Sequence, residues 1–310
     1  MSMANETKST AERLGYASDA RALIINADDF GMCHDQNEGV MTGLKDGLFT
    51  SSTILVTCPW FEEAAAFARS NPDADLGVHL TLNAEWDSYK WGPVLGAHAV
   101  PSLVDDRGYL WQTVPQVYEH VRLDEAEAEL RAQIEKALAA GIDVTHLDNH
   151  MGTLHLRADY HEIYARLADE YRLPLRLASR SQMRAQGMSS ILEQLDAARI
   201  VTTDHFVFHG PSTVAETESY WTNLLRTLKP GVTEILCHPA IARDELKSCT
   251  RDASQREADF RYFTSDKTRQ LIKDEGIELV GYRKLRDQMR GNTPNSGSPS
   301  RAGPKTGVRG

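Results

Sequence analysis

No stretch of this 310-residue sequence approaches the roughly 18 consecutive apolar residues that a membrane-crossing helix needs, so a helical membrane protein is not expected. Cysteine is scarce. Cys33, Cys58, Cys237 and Cys249 are scattered without any CxxC spacing, which removes a disulfide framework and a cysteine-based zinc site from the candidates. Positive charge is also in deficit: 34 Lys and Arg face 44 Asp and Glu, a net charge of -10, and no basic patch interrupts the central part of the chain. Such a surface repels a phosphate backbone, so nucleic acid is not an expected partner. Met1 to Ala20 lacks the basic-then-apolar order of a secretory signal, and the cytoplasm is the expected location.

What remains is an ordinary globular composition, 41% hydrophobic and 25% charged. The length suits one catalytic domain, and a (β/α) barrel of roughly 250 residues would fit. Residues 1–20 carry no sustained apolar pattern and read as a flexible extension. Residues 291–310 are mostly Gly, Pro, Ser, Asn and Thr and read as a disordered tail, leaving 21–290 as the catalytic domain. Within it, short apolar runs alternate with longer amphipathic ones, the signature of parallel strands joined by helices, in about seven units. Strands are expected at Leu23–Ile25, Thr53–Val56, Leu76–Leu80, Val144–Leu147, Leu173–Leu177, His205–Phe208, Thr233–Cys237 and Ile277–Val280. The clearest helix runs from Leu123 to Ala140, with Ala126, Leu130, Ile134 and Leu138 spaced by four and Gly141 as its stop.

The polar residues gather after the apolar runs. Asp28 and Asp29 follow the first strand, His79 lies late in the third, and Asp148 and His150 follow the next. Arg176 ends the Leu-Pro-Leu-Arg run, and His238 follows Glu-Ile-Leu-Cys. In a parallel barrel these positions share the carboxyl end, where barrel active sites are built. Singly, each has a plainer reading: adjacent aspartates cap and turn chains readily, and a lone histidine is usually structural. Together, two neutral imidazoles and a carboxylate suit Zn²⁺ and related divalent ions, with a position left for water. His146, His155, His161, His205 and His209 read as structural or unassigned.

Four motifs occur in order: Ile25-Asn26-Ala27-Asp28-Asp29-Phe30-Gly31, Gly77-Val78-His79-Leu80, Thr145-His146-Leu147-Asp148-Asn149-His150 and Cys237-His238-Pro239-Ala240. Together they resemble those of the YdjC-like (ChbG-type) carbohydrate deacetylases, over roughly Ala22 to Leu285. The resemblance implies an incomplete or distorted (β/α) barrel, similar to polysaccharide deacetylases, with one divalent ion, Mg²⁺ or Zn²⁺. By matched position, Asp29, His79 and His150 would be metal ligands and Asp28 the general base. Arg176 would orient or charge-stabilise Asp28, and His238 would protonate the leaving amine.

Where many relatives carry a tight HxH run, this chain reads His150-Met151-Gly152-Thr153-Leu154-His155, so the sugar preference is not carried over. A long irregular segment from Asn83 to Gly108 holds Trp86, Tyr89 and Trp91, which could stack on sugar faces or simply pack over the barrel. The expected activity is hydrolysis of an N-acetylated mono- or oligosaccharide to acetate and an amino sugar. The alternatives are a metal-dependent phosphoesterase or other amidohydrolase on the same scaffold, and a non-catalytic sugar-binding protein. A carbohydrate is the expected partner, and self-association into a homo-oligomer is left open.

Overall fold

The computed structural model describes residues 8–291. Seven strands, β1 (Arg21–Phe30), β2 (Ser51–Ile54), β3 (Leu76–Leu80), β4 (Val144–Asn149), β5 (His205–Val207), β6 (Gly231–Cys237) and β7 (Glu278–Leu279), form one sheet. Every pairing is parallel, in the order β4-β3-β2-β1-β6-β5. β7 joins β1 at Ala22 and Leu23, below the point where β2 begins to pair. Helices cover the outer face of this sheet. Strands buried on both faces need apolar side chains on both, and the fully buried run Ala22-Leu23-Ile24-Ile25 in β1 meets that need.

The sheet curls into a barrel that closes only weakly. From β4 the ring continues through a single bridge between Leu147 and Leu175 and another between Leu175 and Thr202, just ahead of β5. The strand expected over Leu173–Leu177 is thus reduced to one bridging residue. Pro174 explains the reduction, since it has no N–H to give to a ladder. Its carbonyl accepts from Leu147 N at 3.0 Å, and Arg176 N donates to Leu147 O at 3.0 Å, so the segment is held without being a regular strand.

Of the helices, Leu123–Ala139 follows the expected span but presents a different last turn. Ala126, Leu130, Ile134 and Ala137 are buried, whereas Leu138 is 45% exposed. A spacing of four overshoots the 3.6-residue turn at each step, so after three steps the residue has rotated off the buried face. Besides a single turn near the N-terminus, four helices among the described residues were not revealed by the periodicity: Val114–His120, Arg180–Ala185, Asp244–Cys249 and Ala253–Phe263. The buried face of Ala253–Phe263 carries Arg256 and Asp259, charged side chains that read as surface in an apolar pattern. No helix among the described residues is long and apolar enough to cross a membrane.

The flexible extension expected through residue 20 is corrected by a helix over Thr10–Arg13. Ser9 caps it, with Glu12 completing a capping box, and Thr10 and Ala11 are buried. One turn is too short to show an apolar period, so its docking could not be read from the sequence. Residues 1–7, and the tail expected from 291 beyond Gly291 itself, lie outside the described residues. Asp204 anchors the helix: its carboxylate accepts from Thr10 N at 2.8 Å, Ala11 N at 3.2 Å and, in β6, Val232 N at 2.8 Å. Asp204→Ala is therefore expected to cost about 2 kcal/mol, a fall in melting temperature of roughly 4 °C. A melting curve superimposable on the wild type would show that this carboxylate does not hold the terminus.

Candidate active site

Consecutive residues of a strand point to opposite faces, so Asp28 and Asp29 should not share a cavity. The end of β1 breaks that rule. Between Ala27 and Phe30 the chain takes three steps while β2 takes two, from Ser52 to Ile54, a β-bulge with one extra residue. Asp29 sits in the left-handed region with φ 66°, a conformation that Asp tolerates better than most residues. The bulge lets both carboxylates line one cavity of about 510 Å³ at the carboxyl end of the sheet. His79, His150, Arg176 and His238 line the same cavity.

Asp29, His79 and His150 bring one donor atom each to within 4.8 Å of one another. Asp29 Oδ1 is buried with no hydrogen-bond partner, and His79 Nε2 and His150 Nδ1 each lie 3.5 Å from it. The outer nitrogens of both rings are engaged: His79 Nδ1 donates to Asp148 at 2.5 Å and His150 Nε2 to Glu85 at 2.8 Å. That network assigns the protons to the outer nitrogens and turns two lone pairs inward toward a carboxylate oxygen. Three acceptors facing one another repel unless a cation lies between them, so these residues fit a divalent ion. Burial opposes protonation of His150, yet the Glu85 and Asp29 carboxylates outweigh it and lift its pKa to about 10, so a divalent ion would take the place of a proton on Nδ1.

Arg176 lies at the centre of the barrel, 2% exposed. It forms a double hydrogen bond to Asp28, Nη1 to Oδ2 and Nη2 to Oδ1, both 2.7 Å, and pairs with Asp148 and Glu234 at 2.7 Å each. Complete burial would raise the pKa of Asp28, but the Arg176 guanidinium outweighs it and holds the carboxyl at about 2. Burial lifts Glu234 to about 7, since one guanidinium cannot fully compensate three carboxylates. Asn26 Nδ2 adds a bond to Asp28 Oδ1 at 2.8 Å.

Arg256, also buried, donates to Asp29 Oδ2 at 2.7 Å, Gln36 Oε1 at 3.2 Å and Asp252 Oδ1 at 2.9 Å. It leaves the other Asp29 oxygen turned to the histidines. Burial would raise the Asp29 pKa, but Arg256, His150 and His238 hold it well below the usual carboxylate range. His238, half-buried just past β6, carries its imidazole among the carboxylates of Asp28, Asp29, Asp252 and Asp259.

Three residues of this site were not singled out from the sequence. Glu85 sits in a loop read for its aromatics. Arg256 lies on the unrecognised helix Ala253–Phe263. Glu234 had a legible signal, a lone acid inside an apolar strand. Of the loop aromatics, Trp86 lines the cavity, with its ring 5.8 Å from the Arg256 guanidinium carbon, while buried Trp91 packs its edge on His150 at 5.9 Å. His146 is structural, stacked on Tyr282 at 3.8 Å, its ring where a Gly77 side chain would be.

Among known proteins, a carbohydrate deacetylase of Enterococcus faecalis is 33% identical over 267 residues, 86% of this chain and 98% of the relative. One of Thermoanaerobacter pseudethanolicus is 30% identical and covers 85% and 99%. A chitooligosaccharide deacetylase of Yersinia enterocolitica is 30% identical and covers 84% and 98%. The crystal structure of an Enterococcus faecalis V583 protein named for cellobiose-phosphate cleavage superposes with a TM-score of 0.73 at 32% identity, over 86% of this chain and 99% of that one. Residues 22–274, which carry every cavity residue named above, match the YdjC-like protein profile, and the chain belongs to that family.

Proposed function

We propose that this protein is a metal-dependent hydrolase that removes the acetyl group from an N-acetylated sugar, releasing acetate and an amino sugar. The observation that carries the reading is the orphaned Asp29 Oδ1 facing the inner nitrogens of His79 and His150. The deacetylase names of the relatives support the substrate class. A phosphate ester suits the cavity less well, because the two guanidiniums lining it, Arg176 and Arg256, are already paired with carboxylates.

Asp29, His79 and His150 would hold the ion. When bound, a divalent ion supplies a water of lowered pKa and polarises a carbonyl oxygen. Asp28 is ionised throughout the neutral range, and its Oδ2 keeps a lone pair beyond the one Arg176 engages, so it can take a proton from the attacking water. The amide nitrogen must gain a proton before it leaves. His238 opens onto the same cavity and is the side chain there that could supply that proton. The proton balance closes: one leaves water for Asp28, and one leaves His238 for the amine.

Incubation of the metal-loaded protein with a panel of N-acetylated mono- and oligosaccharides should release acetate. No acetate from any member, with metal stoichiometrically bound, would overturn the hydrolase reading and leave a sugar-binding protein. Asp28→Asn should lower turnover by roughly 10²-fold or more with bound metal, measured by elemental analysis, near one per chain. Loss of the metal in that variant would make Asp28 a ligand instead.

Arg256 touches Asp29 on the side away from the histidines, and Arg256→Gln should weaken metal affinity by roughly 10–100-fold, the usual effect of removing a group that orients a ligand. An unchanged affinity in competition with a chelating dye would show that Asp29 needs no such support. His238→Ala should slow cleavage of an N-acetyl sugar far more than cleavage of an activated acetate ester, whose leaving group needs little protonation. Equal losses on both would place the proton source elsewhere.

A further inference from the structure

Cleavage of an acetamide places positive charge on nitrogen twice. In the tetrahedral adduct the nitrogen gains its proton and is cationic until the C–N bond breaks and the bonding pair returns to it. Acetic acid then gives its proton to the free amine, which leaves as ammonium beside acetate. The amide nitrogen of the substrate carries no such charge, so a carboxylate at this point favours the adduct and the product over the substrate. We propose that Asp252 is that carboxylate, a residue that touches the leaving nitrogen and binds the amino group of the product. This rests on the reading of the cavity as the site of an acetamide hydrolase.

Four carboxylates line the cavity: Asp28, Asp29, Glu85 and Asp252. Three are committed. Arg176 takes both oxygens of Asp28, Asp29 is divided between Arg256 and the two histidines, and Glu85 holds His150. Asp252 is the most open of the four, its side chain 42% exposed. It immediately precedes the helix Ala253–Phe263, where an Asp ordinarily accepts from N–H groups of the first turn, yet it makes no such bond. Its Oδ1 instead accepts from Arg256 Nε at 2.9 Å, and its Oδ2 has no hydrogen-bond partner among the described residues.

The placement matches the path of the proton. Ala240 N, two residues past His238, donates to Arg256 O at 3.2 Å, so the chain that carries His238 is tied to the first turns of the helix that Asp252 precedes. Both side chains line the same cavity, and each feels the charge of the other. A nitrogen that takes its proton from His238 therefore gains its charge on the side of the cavity where Asp252 stands. Burial would raise the pKa of Asp252, but the Arg256 guanidinium outweighs it and holds the carboxyl below its ordinary value, so it is ionised at neutral pH. Arg256 divides its own charge between Asp252 and Asp29, which leaves Asp252 able to attract a second cation.

Glucosamine and glucose differ only at C2, ammonium against hydroxyl. At about pH 6 the amine is protonated and has no lone pair for a metal ion, so calorimetric titration of both sugars into metal-loaded protein reads charge recognition without coordination. Wild type should bind glucosamine roughly tenfold or more tighter than glucose, and Asp252→Asn, which keeps an acceptor for Arg256 Nε, should bring the two affinities close together. With N-acetylglucosamine as substrate the same variant should lower kcat by roughly tenfold and leave KM within about twofold, the pattern of an interaction made only after the ground state. Metal content and melting temperature should be unchanged, and Asp252→Glu should recover part of both losses. No preference for glucosamine in wild type, or a preference that survives in Asp252→Asn, would overturn the role. Loss of metal or of thermal stability in that variant would also overturn it and leave Asp252 a support for Arg256 alone. Absence of acetate release from every N-acetyl sugar counts instead against the hydrolase reading, from which the titrations are separate because they involve no turnover.

Discussion

The guanidinium of Arg176 is the contact on which the interior depends. Taking a cation out of water into a barrel costs several kcal/mol, and only well-placed anions offset that cost. Here they come from three strands: Asp28 from β1, Asp148 from β4 and Glu234 from β6. Arg176 itself belongs to the segment around Pro174 that closes the ring with single bridges, so the ion cluster ties together a barrel whose backbone ladder is weakest there. The Phe206 ring lies 5.5 Å from the guanidinium carbon and adds a cation–π contact. The same contacts that stabilise closure fix the direction of Asp28, so fold and proposed base are held by one side chain.

Around this cluster, each proposed metal ligand has its own carboxylate or guanidinium behind it. His79 leans on Asp148, which Thr53 Oγ1 also holds at 2.7 Å; His150 leans on Glu85, and Asp29 on Arg256. These supports come from a neighbouring strand, a long loop and a helix far along the chain. Asp148 serves two neighbours at once, His79 and Arg176, and so couples the orientation of an imidazole to that of Asp28. The left-handed backbone at Asp29 has a counterpart at Met151, φ 55°, directly after His150. Backbone strain of this kind, of order 1–3 kcal/mol per residue, persists only where the surrounding contacts overdetermine it.

Much of the fold was legible because it follows from local chemistry. Buried parallel strands need apolar runs, helices need an apolar stripe, and the alternation of the two names an α/β chain before any contact is known. Six strands were expected close to where they lie, and the seventh, β7, was expected over Ile277–Val280 and covers its central pair. The Leu173–Leu177 expectation failed because apolar pattern says nothing of a missing N–H at Pro174. The Thr10–Arg13 helix was missed because one turn carries no period.

For the site, the sequence by itself determined which polar residues end the strands, since strand ends and motif positions are both local: Asp28, Asp29, His79, His150, Arg176 and His238 line one cavity. Only the tertiary structure decided how they face one another. The bulge that turns Asp29 beside Asp28 is a property of the β1–β2 register, and the tautomers of His79 and His150 are set by carboxylates from other elements. Arg256 reaches Asp29 across 227 positions of chain. Such pairings leave no mark in local pattern, because a buried charge is stable only opposite its partner, and the partner is supplied by the fold.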